Sequence, residues 1–148
     1  MKDSLEKSTK TLLKKHHKNC LFKNILKDRE GLSFTFDNKG DLRGRFYCDE
    51  KYQGYNNRIH GGILAAIIDE SMVHCLMGHG IVGVTTHLDI KYRMPVCIKK
   101  HVEIITSICD KYLGGTIYLM KAEVIQNKKI MATATANFFT DTTKLAYE

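Results

Sequence analysis

At 148 residues the chain has the size of one domain, and its 43% apolar and 26% charged content suits an ordinary globular protein, excluding fibrous and disordered classes. No uninterrupted apolar run approaches the roughly 18–20 residues of a membrane span; the longest, Ile63–Ile68, stops at Asp69, and the beginning MKDSLEKSTKTLLKKHHKNC lacks an apolar signal core. A cytoplasmic protein without a membrane partner is therefore expected.

The net charge of +7 is concentrated early, in Lys2, Lys7, Lys10, Lys14, Lys15, Lys18, Lys23 and Lys27. That run reads as a solvated basic helix, or as an attractor of a polyanion such as a phosphate-bearing molecule. No nucleic-acid motif accompanies it, so no nucleic-acid partner is expected. The five cysteines (Cys20, Cys48, Cys75, Cys97, Cys109) are widely spaced, with no CxxC pair. They read as free thiols of a reducing compartment, and no metal site is expected.

Residues 3–20 predict a helix with a thin apolar stripe, Leu5, Leu12 and Leu13, packed on the domain edge. Leu32–Asp37 alternates as a strand, Asn38-Lys39-Gly40-Asp41 turns, and Leu42–Cys48 returns as a hairpin partner. A loop from Asp49 to Ile59 leads into a helix from about Gly61 to Gly80, apolar almost all round and therefore enclosed by other structure. The period then changes to two. Val84–Arg93 is a strand closed near Pro95, and Val102–Cys109, Thr116–Gln126 and Ile130–Phe139 form a meander. The layout is α+β, an antiparallel sheet around one long central helix. Residues 1–20 form a basic N-terminal extension, 21–140 the domain, and 141–148 a polar tail.

The segment NNRIHGGILAAIIDES carries the chemistry. His60-Gly61-Gly62 opens the central helix, and Asp69-Glu70 interrupts its apolar run. Backbone N–H groups at a helix start hold developing negative charge, and Gly61 leaves them unobstructed; alternatively the glycines only make a tight entry. Asp69 has Ala65, Ala66, Met72 and Val73 at helical neighbour positions. If buried there, its pKa should rise, which suits a general base. Glu70 points about 100° away and reads as structural or rim. Gly61 and Asp69, eight residues apart, are separated by about 12 Å of helix rise. One small reacting centre cannot touch both in one chain, so a site using both needs two chains. Asn56, Asn57 and Gln53 supply loop amides for substrate or water. His60 orients the loop, and Gly62 lies beside the donor. His74 and His79 share the helix without companion ligands at metal spacing. Thr85 reads as lying on the strand face opposite Leu88, with Lys91 and Arg93.

With YQGYNNRIHGGILAAIIDES followed by GVTTHLDIKYRMPV, the chain resembles the hotdog-fold acyl-CoA thioesterases, in particular the branch of phenylacetate-pathway thioesterases. The matching elements are Gly54, His60-Gly61-Gly62, Asp69-Glu70, and Tyr92 with Pro95; upstream, HKNCLFKNILKDREGLSFTF is similar to the entry of some members, which often have a second cysteine where this chain has Lys23. The resemblance implies a hotdog fold, homodimers or dimers of dimers with sites at the subunit interface, and hydrolysis of acyl-CoA thioesters without a cofactor or metal. It implies Gly61 as oxyanion donor, Asp69 as base or nucleophile, and Thr85 as the residue that orients water or substrate. Some relatives use an Asn where this chain has Gly54. Arg58, Lys91 and Arg93 are then candidates for the coenzyme A phosphates. A dehydratase on the same fold would need a different His-with-acid motif, absent here. A non-catalytic acyl-CoA-binding protein is the alternative.

Overall fold

The structure, a computed structural model, describes residues 1–22 and 31–140. Helix α1 (Lys2–His16) precedes a hairpin of β1 (Ser33–Phe36) and β2 (Leu42–Cys48). A short 3-10 turn (Glu50–Tyr52) leads to helix α2 (Gly61–Gly78) and strands β3 (Val84–Tyr92), β4 (Lys100–Tyr112), β5 (Ile117–Gln126) and β6 (Lys129–Phe139). Lys23, Lys27 and the tail 141–148 lie outside the described residues.

All six strands form one antiparallel sheet, in the order β1-β2-β4-β5-β6-β3. The meander of β4, β5 and β6 is as expected. The strand that follows α2 does not join its sequence neighbour β4 but pairs with β6 at the far edge. The sheet thus wraps one central helix, the layout implied by the resemblance. Its inner face presents Leu42, Phe46, Ile104, Met120, Val124 and Phe138, all essentially inaccessible. Against them α2 sets Leu64, Ile67, Ile68, Met72 and Leu76. Each such aliphatic side chain contributes about 1.5–3 kcal/mol on burial. Along β6 the inward positions Ala132, Ala134 and Ala136 are small, so the helix can sit close to the sheet. The polar pair inside this core is matched. Ser71 donates to the Ile68 carbonyl at 2.6 Å, leaving Thr106 to donate to Ser71 at 2.9 Å.

Helix α2 is long and apolar enough by composition to cross a membrane, but 61% of it is buried inside this protein. The enclosure is one-sided: Ile63, Ala65, Ala66 and Asp69 remain partly exposed. Helix α1 buries Leu5 and Thr9, one turn apart, and Ser8 donates to the Met77 carbonyl at 2.8 Å. It ends at His16 rather than Cys20, because His17 leaves helical geometry (φ −120°, ψ 27°) and residues 16–19 hold nothing apolar to pack a further turn.

Strand β3 contains an irregularity that sequence alternation hides. Thr85 pairs with Phe138 and His87 with Asn137, so Thr86 is an extra residue in the ladder; its hydroxyl donates to the Asn137 carbonyl at 3.1 Å. Beyond it Leu88, Ile90 and Tyr92 stand opposite the buried Ala136, Ala134 and Ala132. The bulge shifts the phase, placing Thr85 on the inner face with Leu88, Ile90 and Tyr92. The expectation that Thr85 opposes Leu88 and shares a face with Lys91 and Arg93 is therefore corrected.

Gly78, at the end of α2, is buried where a Cβ would come within 2.2 Å of Phe36 Cζ. Gly78→Ala is expected to destabilise the fold by about 1–3 kcal/mol, despite alanine's better helix propensity. A lowered urea midpoint at unchanged m-value would show this. An unchanged or raised midpoint would mean that Phe36 yields.

Candidate active site

The start of α2 is shaped by His60. As N-cap it has extended geometry (φ −64°, ψ 127°), and its Nδ1 accepts the Gly62 N–H at 3.0 Å. Its carbonyl accepts the Ile63 and Leu64 N–H groups at 3.0 and 3.1 Å. The remaining orphan donor of the first turn is the N–H of Gly61, which meets no acceptor among the described residues and belongs to an exposed residue. On the other side of that peptide unit, the Tyr92 hydroxyl donates to the Gly61 carbonyl at 2.8 Å. The inner-facing end of β3 therefore holds the glycine in place.

Asp69 follows about 12 Å along the helix and is half-buried rather than enclosed. The Thr85 hydroxyl donates to its Oδ1 at 2.6 Å. Its Oδ2 has no hydrogen-bond partner among the described residues. The bulge in β3 makes this contact possible by turning Thr85 toward α2. The Thr85 hydroxyl thus fixes one carboxylate oxygen and leaves the other available to a water.

The loop residues fall elsewhere. Asn56, Asn57 and Arg58 are exposed on a tight excursion closed by the Gln53–Ile59 bridge. Asn57 adopts φ 64°, its N–H donates to Gln53 Oε1 at 2.9 Å, and Arg58 bridges to Cys97. None of them hydrogen-bonds Gly61, Asp69 or Thr85 among the described residues. Gly54 hugs the N-cap so closely that a Cβ there would lie 3.0 Å from His60 Cα, a contact that the backbone must yield by a few tenths of an ångström to admit. Lys91 and Arg93 line a shallow groove on the outer sheet face with Asp89, Thr133 and Thr135, away from Thr85.

A second polar cluster lies next along α2. Glu70 is buried, which corrects the expectation of a possible rim position. Its Oε1 lies 3.1 Å from His74 Nε2, and Cys20 Sγ lies 3.7 Å from its Oε2. Burial pushes the Glu70 carboxyl up, with Asp69 adding to the effect and Cys20 opposing it, while burial pushes His74 down to about 4. With His74 neutral near pH 7, the contact is a hydrogen bond rather than an ion pair. His17, beyond the end of α1, is held below the usual histidine range by burial and then by His16, against the pull of Asp69. Burial pushes the Cys48 and Cys75 thiols up to about 12, leaving them inert packing groups.

Sequence reasoning found Gly61, Asp69 and Thr85, which the structure places on facing surfaces of α2 and β3. It assigned no contact to the Tyr92 hydroxyl and passed over the Glu70 cluster. The pairs His17-x-x-Cys20 and Glu70-x-x-x-His74 were the available signals for that cluster.

Comparison with known proteins agrees with this fold. The sequence model described as thioesterase superfamily matches residues 56–133. Among solved structures, thioesterase superfamily member 2 from Mus musculus superposes with a TM-score of 0.72 at 18% identity, covering 94% of this chain and 96% of that one. A hypothetical thioesterase from Streptococcus pneumoniae, crystallised with coenzyme A, gives 0.68 at 18% identity over 78% of this chain and 90% of its own. A mutant of the phenylacetic acid degradation protein PaaI from Thermus thermophilus gives 0.66 at 20% identity over 74% and 93%. Against one further superfamily structure the chain spans 55% of the neighbour's length. No curated protein matches by sequence.

The N-cap role of His60 is separable from any chemistry. His60→Ala is expected to lower stability by about 0.5–2 kcal/mol, and His60→Asn to keep most of it. Equilibrium denaturation of both variants checks this; equal losses in the two would mean that the ring acts by packing rather than by capping.

Proposed function

Because the chain belongs to the thioesterase superfamily, we propose that this thioester hydrolase cleaves acyl-CoA thioesters to the free acid and coenzyme A. The carrying observation is the Thr85 hydroxyl donating to Asp69 Oδ1 at 2.6 Å, beside a second oxygen left open among the described residues. The coenzyme A complex of the S. pneumoniae neighbour supports the choice of thioester.

In this reading Asp69 Oδ2 accepts a proton as a water attacks the thioester carbonyl, and Thr85 holds the carboxylate in orientation. The carbonyl oxygen becomes an oxyanion, received by the Gly61 N–H at the positive end of α2. Collapse breaks the carbon–sulfur bond. The coenzyme A thiolate leaves and takes up the proton held by Asp69, so that water is the only other reactant. Asn56, Asn57 and Arg58 lie on the exposed loop beside the glycine, where they can meet the coenzyme A portion. Lys91 and Arg93 can meet its phosphates only around the sheet edge.

Helix rise requires that Gly61 and Asp69 serve different sites, so the working unit is a homodimer. The far edge of the sheet supports this. Among the described residues, β3 pairs on one side only, and it exposes nine residues' worth of edge, with Val84 and Tyr92 also exposed. A long open edge is a liability that a second copy's β3 would cover.

The test is steady-state hydrolysis of an acyl-CoA panel, with released thiol as the readout. Asp69→Asn should lower kcat by about 10²–10⁴-fold. Gly61→Pro should lower it by about 10²–10³-fold by deleting one N–H donor. Proline is suited to the first helical position, and His60 already has the extended geometry that a preceding residue needs. Asp89→Asn, on the outer face, should have no effect. Undiminished hydrolysis by Asp69→Asn would overturn the mechanism. Tight acyl-CoA binding without turnover by the wild type would favour a binding protein.

A further inference from the structure

The cluster beside Asp69 has donors from two separate elements. His17 and Cys20 come from the segment just past α1, and Glu70 comes from α2. One ring nitrogen of His17, Cys20 Sγ and a Glu70 oxygen all lie within 4.8 Å of one another. Cys20 Sγ is 3.8 and 3.7 Å from the two Glu70 oxygens. His74 Nε2 holds Glu70 Oε1 from behind at 3.1 Å. Two ring nitrogens, His17 Nδ1 and His74 Nδ1, are buried and have no hydrogen-bond partner among the described residues. Such orphans are costly unless something takes them up. A pocket of about 390 Å³ opens onto the cluster, walled by Leu13, Phe22, Leu32 and Phe34.

We propose that His17, Cys20 and Glu70 bind a zinc-class divalent ion that ties the end of α1 to the central helix. One nitrogen, one sulfur and one carboxylate oxygen form a donor set suited to zinc, whereas magnesium and calcium take oxygen ligands. Zinc at about 2.0–2.3 Å from each ligand sets tetrahedral donor atoms about 3.3–3.8 Å apart. The Cys20–Glu70 separation already meets this, and the His17 arm lies within about 1 Å of it. A water from the pocket is the fourth ligand. Binding releases the Cys20 thiol proton to solvent, and the His74–Glu70 contact orients the ligating carboxylate. The sequence predicts no metal site because the cysteines form no CxxC pair and His74 and His79 lack companion ligands; His17-x-x-Cys20 and Glu70 are united only by the packing of α1 on α2. The site does not depend on the hydrolase reading, since it uses none of Gly61, Asp69 or Thr85.

The experiment is titration of untagged, metal-stripped full-length protein with Co²⁺, followed by displacement with Zn²⁺. The wild type is expected to bind one Co²⁺ per chain with a thiolate-to-cobalt charge-transfer band that Zn²⁺ abolishes. Cys20→Ser should lose the band while keeping its circular dichroism, since Cys20 is only partly buried. His74→Ala should weaken Co²⁺ binding by about 10–100-fold. A wild type without the band, or a band that survives in Cys20→Ser, overturns the site. Neither result bears on hydrolysis, which is measured separately with coenzyme A thioesters.

Discussion

Eight residues of straight helix separate Gly61 from Asp69, and that rise of about 12 Å governs how this molecule can work. The helix is fixed by the sheet around it: Ile67, Ile68 and Met72 are wholly buried against strands whose inward positions include the small Ala134 and Ala136. Neither end can bend toward the other without breaking that core. The proposed mechanism therefore assigns the donor at the helix start and the carboxylate two turns on to different reaction centres. His60, Tyr92 and Thr85 each support one half or the other.

His60 and Tyr92 serve the first half. The histidine ring takes the Gly62 N–H and its carbonyl takes the next two, so the Gly61 N–H is the one left over. Tyr92, from the far end of β3, holds the Gly61 carbonyl. Thr85 serves the second half by holding Asp69. Both supports come from the same strand because the bulge at Thr86 keeps Thr85 and Tyr92 on one face, although a simple alternation would separate them. Among the described residues that strand is also an open edge of the sheet. The element that organises both half-sites is thus the one best placed to meet a second copy, consistent with the proposed dimer.

Much of this was legible in the residues. The bounds of β2 follow from its flanking turn signals and those of β3 from alternation, and the long helix follows from an apolar run too wide for a surface helix. Gly61 and Asp69 stood out because a double glycine and an acid are costly in such a helix unless used, whereas Thr85 stood out only through the family resemblance. The facing of Thr85 was not legible. A bulge adds one residue to a ladder without a glycine or proline to mark it, so the two-residue period carried across Thr86 gave the wrong face for Thr85 relative to Leu88, Lys91 and Arg93. The burial of Glu70 was equally hidden, because it depends on where α1 packs and on its ending at His16. Local pattern fixes neither. The loop residues Asn56, Asn57 and Arg58 are polar enough to suggest contacts, but their orientation follows from the Gln53–Ile59 closure and the close approach at Gly54, which are tertiary facts.

The division of labour between two chains is open to one direct measurement. Gly61→Pro and Asp69→Asn proteins, each inactive alone, are mixed, unfolded and refolded together, and acyl-CoA hydrolysis is assayed. In a symmetric dimer that draws one group from each chain, random reassembly yields mixed dimers with one intact site, restoring about a quarter of wild-type activity. A mixture that refolds to mixed dimers yet stays as inactive as its parents would contradict the shared site.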